Sequence, residues 1–238
     1  MKTKNLYYIY GFIGIVGIIM VIQHILGFEF PYYFYEQYPN ITKYYGINVV
    51  SMYADFSFFT YHTIIFFSVW CILMMVSKIF KTQKIENFLT KSVVISFIVT
   101  NYIITSLIYT IFELIFTEKI TFGLYANTLS AWHNFGTNIL IHYVYFILSI
   151  LLPKFVNIEK TSLKIPIIAI IIYLSMYFAI VKITGMYCYV IEWYPYIIFT
   201  FKPLILVLVY LVFLVMYLVF YLYIEKIINK KPKNTLSQ

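Results

Sequence analysis

Residues 203–224 read PLILVLVYLVFLVMYLVFYLYI, a run with no charge, no glycine and no polar group except four tyrosine hydroxyls. At 1.5 Å per residue such a run reaches about 33 Å as a helix, the thickness of a hydrocarbon core. It is apolar on every side, so it cannot be a surface helix with one wet face. A transmembrane barrel strand is about 10 residues long and alternates polar with apolar, which this run does not. It reads as a membrane-spanning helix.

Five more runs of the same kind precede it: residues 6–27, 56–77, 92–112, 130–152 and 165–181. The sequence therefore predicts an all-α, polytopic membrane protein with six transmembrane helices. Overall, 63% of the chain is hydrophobic and 11% charged, well outside the soluble range. The intervening segments are too short for a separate soluble unit, so residues 1–238 read as one six-helix membrane domain. The polar tail, 231–238, is expected to be disordered.

The net charge of +8 is informative through its placement. Lys2 and Lys4, the stretch Lys78 to Lys91, the stretch Lys154 to Lys164 and the tail after Glu225 hold thirteen of the seventeen lysines. Only Lys43, Lys119, Lys182 and Lys202 fall on the opposite side of the spans. The positive-inside rule then puts both termini in the cytoplasm. The lysines lie in short connections beside apolar runs, which points to anionic lipid and not to nucleic acid. The absence of arginine and the wealth of Ile, Tyr, Phe and Lys fit an AT-rich bacterial genome, hence a multi-pass protein of a bacterial plasma membrane.

Lys2 and Lys4 ahead of an apolar run could mark a signal peptide, but the run is too long and no small-residue cleavage site follows, so it reads as the first span. Two outer segments, Phe28 to Asp55 and Lys182 to Lys202, are crowded with aromatics that suit the headgroup level. All seven prolines lie outside or at the edges of the runs. Cys71 and Cys188 fall at different depths and are not expected to pair. Gly11, Gly14 and Gly17 recur on span one, where close helix contact competes with the ordinary abundance of glycine in membrane helices.

A polar side chain in hydrocarbon must find a partner or line a cavity, so the polar residues within the runs are the candidates for chemistry. Span two carries Ser57, Thr60, His62, Thr63 and Ser68; span three carries Ser96, Thr100, Asn101, Thr105 and Ser106. Span four is the most polar, with Asn134, Asn138 and His142 as one stripe at helical spacing and His133 and Thr137 beside it. Such a stripe either bridges neighbouring helices or supplies a general base, since neutral imidazole accepts a proton near pH 7. Thr60 becomes a nucleophile only if a base, His142 or His133, takes its proton. The four histidines lack metal-ligand spacing on any one helix, so no metal and no cofactor are expected. No G-x-S-x-G elbow occurs.

Four short motifs recur in one order: Phe58-Phe59-Thr60-Tyr61, Asn138 through His142-Tyr143-Val144, Ile183-Thr184-Gly185-Met186-Tyr187, and Trp193-Tyr194-Pro195-Tyr196. With them, residues of roughly 50–200 resemble the androgen-induced/androgen-dependent membrane threonine hydrolase family and its bacterial six-helix relatives, which are uncharacterised integral membrane proteins. The resemblance implies an intramembrane hydrolase that cleaves a fatty-acid ester, with Thr60 attacking the carbonyl and His142 moving the proton. It leaves His133, Asn134 and Asn138 as alternative or supporting residues. Aligning instead on Trp132-His133-Asn134 brings Asn138, not His142, to the catalytic place. Helical rise puts Thr60 about 6 to 9 Å and His142 about 18 Å from the outer face, an offset that keeps His133 in contention.

Two other classes compete. A small six-span solute-binding or transport component fits the length, although only five alanines are present for the coupling motifs of such subunits. A non-catalytic membrane scaffold would use the polar stripe only to pack helices. Membrane lipid is the expected partner and a lipid ester the expected substrate; the sequence names no protein partner.

Overall fold

An apolar run cannot leave its N–H and C=O groups unpaired away from water, and the helix is the local solution. The computed structural model describes residues 3–25, 59–115, 136, 139–161, 164–184 and 203–230. Its long helices are α1 (Thr3–Ile25), α2 (Phe59–Ile79), α4 (Ser92–Ile115), α6 (Lys164–Thr184) and α7 (Pro203–Lys230). Between them lie the short α3 (Gln83–Leu89) and a fourth apolar stretch that passes from a π turn, Leu140–Val144, through α5 (Tyr145–Leu151) to a 3-10 turn, Leu152–Phe155. No strand occurs among the described residues. Three helices are long and apolar enough to cross a membrane, Asn5–Gln23, Phe59–Ile79 and Pro203–Ile227; Ser92–Ile108, Leu140–Phe155 and Ile167–Ala179 are shorter apolar stretches.

α1 and α2 pack antiparallel and very close. A side-chain carbon at Gly14 would stand 2.6 Å from the Ser68 carbonyl, and one at Gly11 or Gly17 would collide with Met75 or the Ser68 hydroxyl. The glycine spacing of span one therefore serves helix approach. α5 joins this pair through two long-range bonds, Tyr10 Oη to the Leu152 carbonyl at 2.8 Å and Tyr145 Oη to the Ile13 carbonyl at 2.6 Å. Phe67 and Tyr102 complete the centre, each packed against Tyr145.

A second apolar cluster gathers α6 and α7 against Phe59 of α2 and Ile104 of α4. Its rings meet edge to face, with Phe59 against Tyr177 and Phe213, and Phe97 against Tyr173. Ser175 and Tyr210 add a hydroxyl pair at 2.6 Å between α6 and α7. The α6–α7 pair is thus fastened mainly by aromatic packing.

The lysine-rich segments share one end of the bundle. Lys78 pairs with Glu86 of α3 and lies 5.1 Å from the Tyr7 ring of α1. The chain turns after α2 by a left-handed residue, Lys81 at φ 53°, while the Thr82 N–H reaches back to the Ser77 carbonyl at 2.9 Å. Trp70 Nε1 donates to the Leu89 carbonyl at 2.9 Å and holds α3 against the core. The segment after α5 closes the same end, with Ser92 N–H donating to the Glu159 carbonyl and Glu159 N–H to that of Thr90. The aromatic segment 28–55, residues 185–202 with Cys188 and the Trp193 motif, and residues 231–238 lie outside the described residues.

Candidate functional site

His142 sits within the π turn, 6% exposed, on the face turned to α4. A π turn widens the helix by one residue and commonly occurs at functional sites. The turn is held from outside: Ser106 Oγ donates to the His142 carbonyl at 2.5 Å, and the Tyr143 hydroxyl lies 3.2 Å from that of Thr110. Thr110 in turn donates to the Ser106 carbonyl at 2.7 Å. One helix face along from Ser106, Thr105 shares a 3.0 Å hydroxyl pair with Thr63 of α2, whose hydroxyl also reaches the Phe59 carbonyl at 3.1 Å. Thr63, Thr105, Ser106 and His142 are all buried.

Thr60 lies one turn before Thr63 on the same face of α2 and is half-buried. Its depth relative to His142 follows from the packing of Phe67 on Tyr145, whose ring centroids are 5.8 Å apart. Thr60 is seven residues before Phe67 and His142 three before Tyr145, on stretches that run in the same direction. The axial offset is about 6 Å at 1.5 Å per residue. The residue of α2 level with His142 is Ile64, and Thr63 lies one residue, about 1.5 Å, from that level on the side of Thr60. His133, Asn134 and Asn138 lie outside the described residues.

Two polar arrangements were missed as sites in the sequence. His62, named there only as a polar residue of span two, has its Nδ1 3.1 Å from the Tyr173 hydroxyl and its ring against Phe66 and Tyr177. Glu225 is the first residue past the run of span six, yet it is 3% exposed and accepts hydroxyls from Ser92 at 2.8 Å and Ser96 at 2.7 Å. A signal was present: Ser92, Ser96 and Thr100 recur every four residues, as do Tyr217, Tyr221 and Glu225. Among the described residues no three His, Cys, Asp or Glu side chains gather as a metal site. No family model, no curated protein and no solved structure matches the chain.

Proposed function

We propose that the chain is a six-span protein of a bacterial plasma membrane, with both termini in the cytoplasm, that hydrolyses a fatty-acid ester within the bilayer. The observation that carries this reading is a buried histidine in a π turn whose carbonyl accepts the Ser106 hydroxyl of α4, with the Thr63 hydroxyl of α2 bonded to the adjacent Thr105. The gathering of lysine-rich segments at one end supports the orientation.

In this reading Thr60 Oγ attacks the ester carbonyl while His142 accepts its proton. The tetrahedral oxyanion collapses, the C–O bond to the alcohol breaks, and His142 returns the proton to the departing oxygen. Water, activated by the same imidazole, then releases the fatty acid from Thr60. Side chains of both residues lean toward their helix N-termini, which point the same way, so it is only the longer reach of the imidazole over the threonine hydroxyl that shortens the 6 Å offset given by about four residues of rise. His133, Asn134 and Asn138 remain supporting or alternative partners. No metal or cofactor enters these steps.

A fluorophosphonate probe tests the reading on the purified chain. Labelling is expected at Thr60, absent in Thr60→Ala, and slowed about 10²- to 10⁴-fold in His142→Gln. A chain that neither labels nor cleaves a long-chain ester overturns it. The rival favoured by a specific observation is the scaffold, because Thr63, Ser106 and Thr110 already spend their hydroxyls on bonds within and between helices. A scaffold would lose thermal stability in His142→Gln with no reaction to lose. A solute-binding component would instead bind or take up a small molecule with Thr60 dispensable.

A further inference from the structure

Ser92, Ser96 and Thr100 of α4 form a stripe that faces Glu225, Tyr221 and Tyr217 of α7, and every member is buried. At the lysine-rich end the seam is complete: both Glu225 carboxylate oxygens accept a serine hydroxyl, and the Thr161 N–H donates to Ser92 Oγ at 3.1 Å. Toward the middle of the bundle it is not. The hydroxyls of Thr100 and Tyr221 and the side-chain oxygen of Asn101 have no hydrogen-bond partner within the protein, and the Tyr217 hydroxyl has only the Asn101 amide beside it. Tyr217 lies beside the Asn101 amide and Tyr221 beside Glu225, so these groups are neighbours along one interface. Asn101 commits its amide nitrogen to the Phe97 carbonyl at 2.9 Å, which leaves its oxygen to the seam.

Threonine in a helix ordinarily turns its hydroxyl onto the carbonyl one turn back, as Thr63 and Thr110 do and Thr100 does not. Three such atoms, buried along one interface with the Tyr217 hydroxyl among them, are each unfavourable in an apolar interior, and bound water is the usual remedy where several polar groups converge. We propose that the α4–α7 interface holds a file of ordered water that runs from Glu225 at the lysine-rich end to Asn101 in the middle of the bundle. The ligand is water, with the Tyr221 and Thr100 hydroxyls as one station and the Tyr217 hydroxyl and Asn101 oxygen as the next. Glu225 stands at the mouth, where the buried Thr161 hydroxyl is a further group without a partner.

From Ser92 to Asn101 the file covers about 13 Å of helix, almost half of a hydrocarbon core. Asn101 is one turn from Thr105, so the seam ends beside the Thr63–Thr105 pair. It would supply water from that end to a hydrolytic centre, but the inference does not depend on hydrolysis.

Millisecond radiolytic hydroxyl-radical labelling of the full chain tests it, because side-chain labelling in a buried position requires water next to the ring. Tyr217 and Tyr221 are expected to label several-fold faster than Tyr145, whose hydroxyl is spent on the Ile13 carbonyl. Thr100→Leu, which fills the seam, is expected to slow Tyr217 while Tyr221 still labels. Labelling of Tyr217 and Tyr221 no faster than Tyr145 overturns the proposal. Thermal melting supplies a second readout: Tyr221→Phe lowers the Tm if its hydroxyl is hydrated, whereas a higher Tm means a dry, orphaned hydroxyl and also overturns it.

Discussion

Thr63 of α2 and Thr105 of α4 share a hydroxyl pair at 3.0 Å, forty-two residues apart in sequence. The pair joins α2 to α4 within one residue of the level of His142, while the neighbouring Ser106 holds the π turn to α4. Hydroxyl contacts of this kind between helices are worth about 0.6 kcal/mol on average in a membrane, up to about 2. Thr63→Val and Thr105→Val are each expected to destabilise the chain, with a coupling of about 0.6 kcal/mol in the double-mutant cycle. A cycle by thermal or detergent unfolding reads this directly; a coupling of zero means that the two hydroxyls act independently.

Gly14, at the contact of α1 with α2, and Gly136, which meets no neighbour, are expected to respond oppositely to a side chain. Gly14→Ala drives a carbon to 2.6 Å from the Ser68 carbonyl, a backbone atom that cannot step aside. A cost of about 1–3 kcal/mol is expected, as for other overpacked interfaces. Gly136→Ala meets nothing within 4 Å and gains helix propensity of up to about 1 kcal/mol. Melting curves that fail to separate the two variants would contradict the packing described.

Ser96→Ala removes one of the two hydroxyls on the Glu225 carboxylate. A hydrogen bond to a charged group contributes about 1.5–3 kcal/mol, so a loss in that range is expected. Ser92→Ala should cost at least as much, since its hydroxyl also accepts the Thr161 N–H and ties down the segment after α5. Faster proteolysis around residues 156–161 in Ser92→Ala but not in Ser96→Ala would separate the two roles.

Lys81 closes α2 in the left-handed region at φ 53°, where a side chain is strained. Lys81→Gly keeps the turn and removes the strain, with an expected gain of up to about 1 kcal/mol. Lys81→Val is expected to destabilise, since a β-branched residue tolerates that region least. Comparison of the two melting temperatures checks the sign of both.

Much of the architecture was legible in the chain itself. An uninterrupted apolar run must close its backbone hydrogen bonds locally, so the described parts of the runs 6–27, 56–77, 92–112, 165–181 and 203–224 all lie in helices, α7 extending six residues past its run. Lysine placement likewise anticipated which connections share an end, because hydrated ammonium groups collect where the apolar runs stop. The glycines of span one hinted at close approach without naming α2 as the partner.

The opening run, PLILVLVYLVFLVMYLVFYLYI, declares its helix without help from any neighbour, because a continuous apolar stretch is a one-dimensional property. Which polar groups meet is not. It depends on the rotation of each helix about its axis and on axial register, and a shift of one residue turns a side chain by about 100° and 1.5 Å. Only the packed bundle therefore decided that Thr63 meets Thr105 within one residue of the level of His142, that His62 turns to Tyr173, and that Glu225, one residue beyond the opening run, is drawn inside by Ser92 and Ser96.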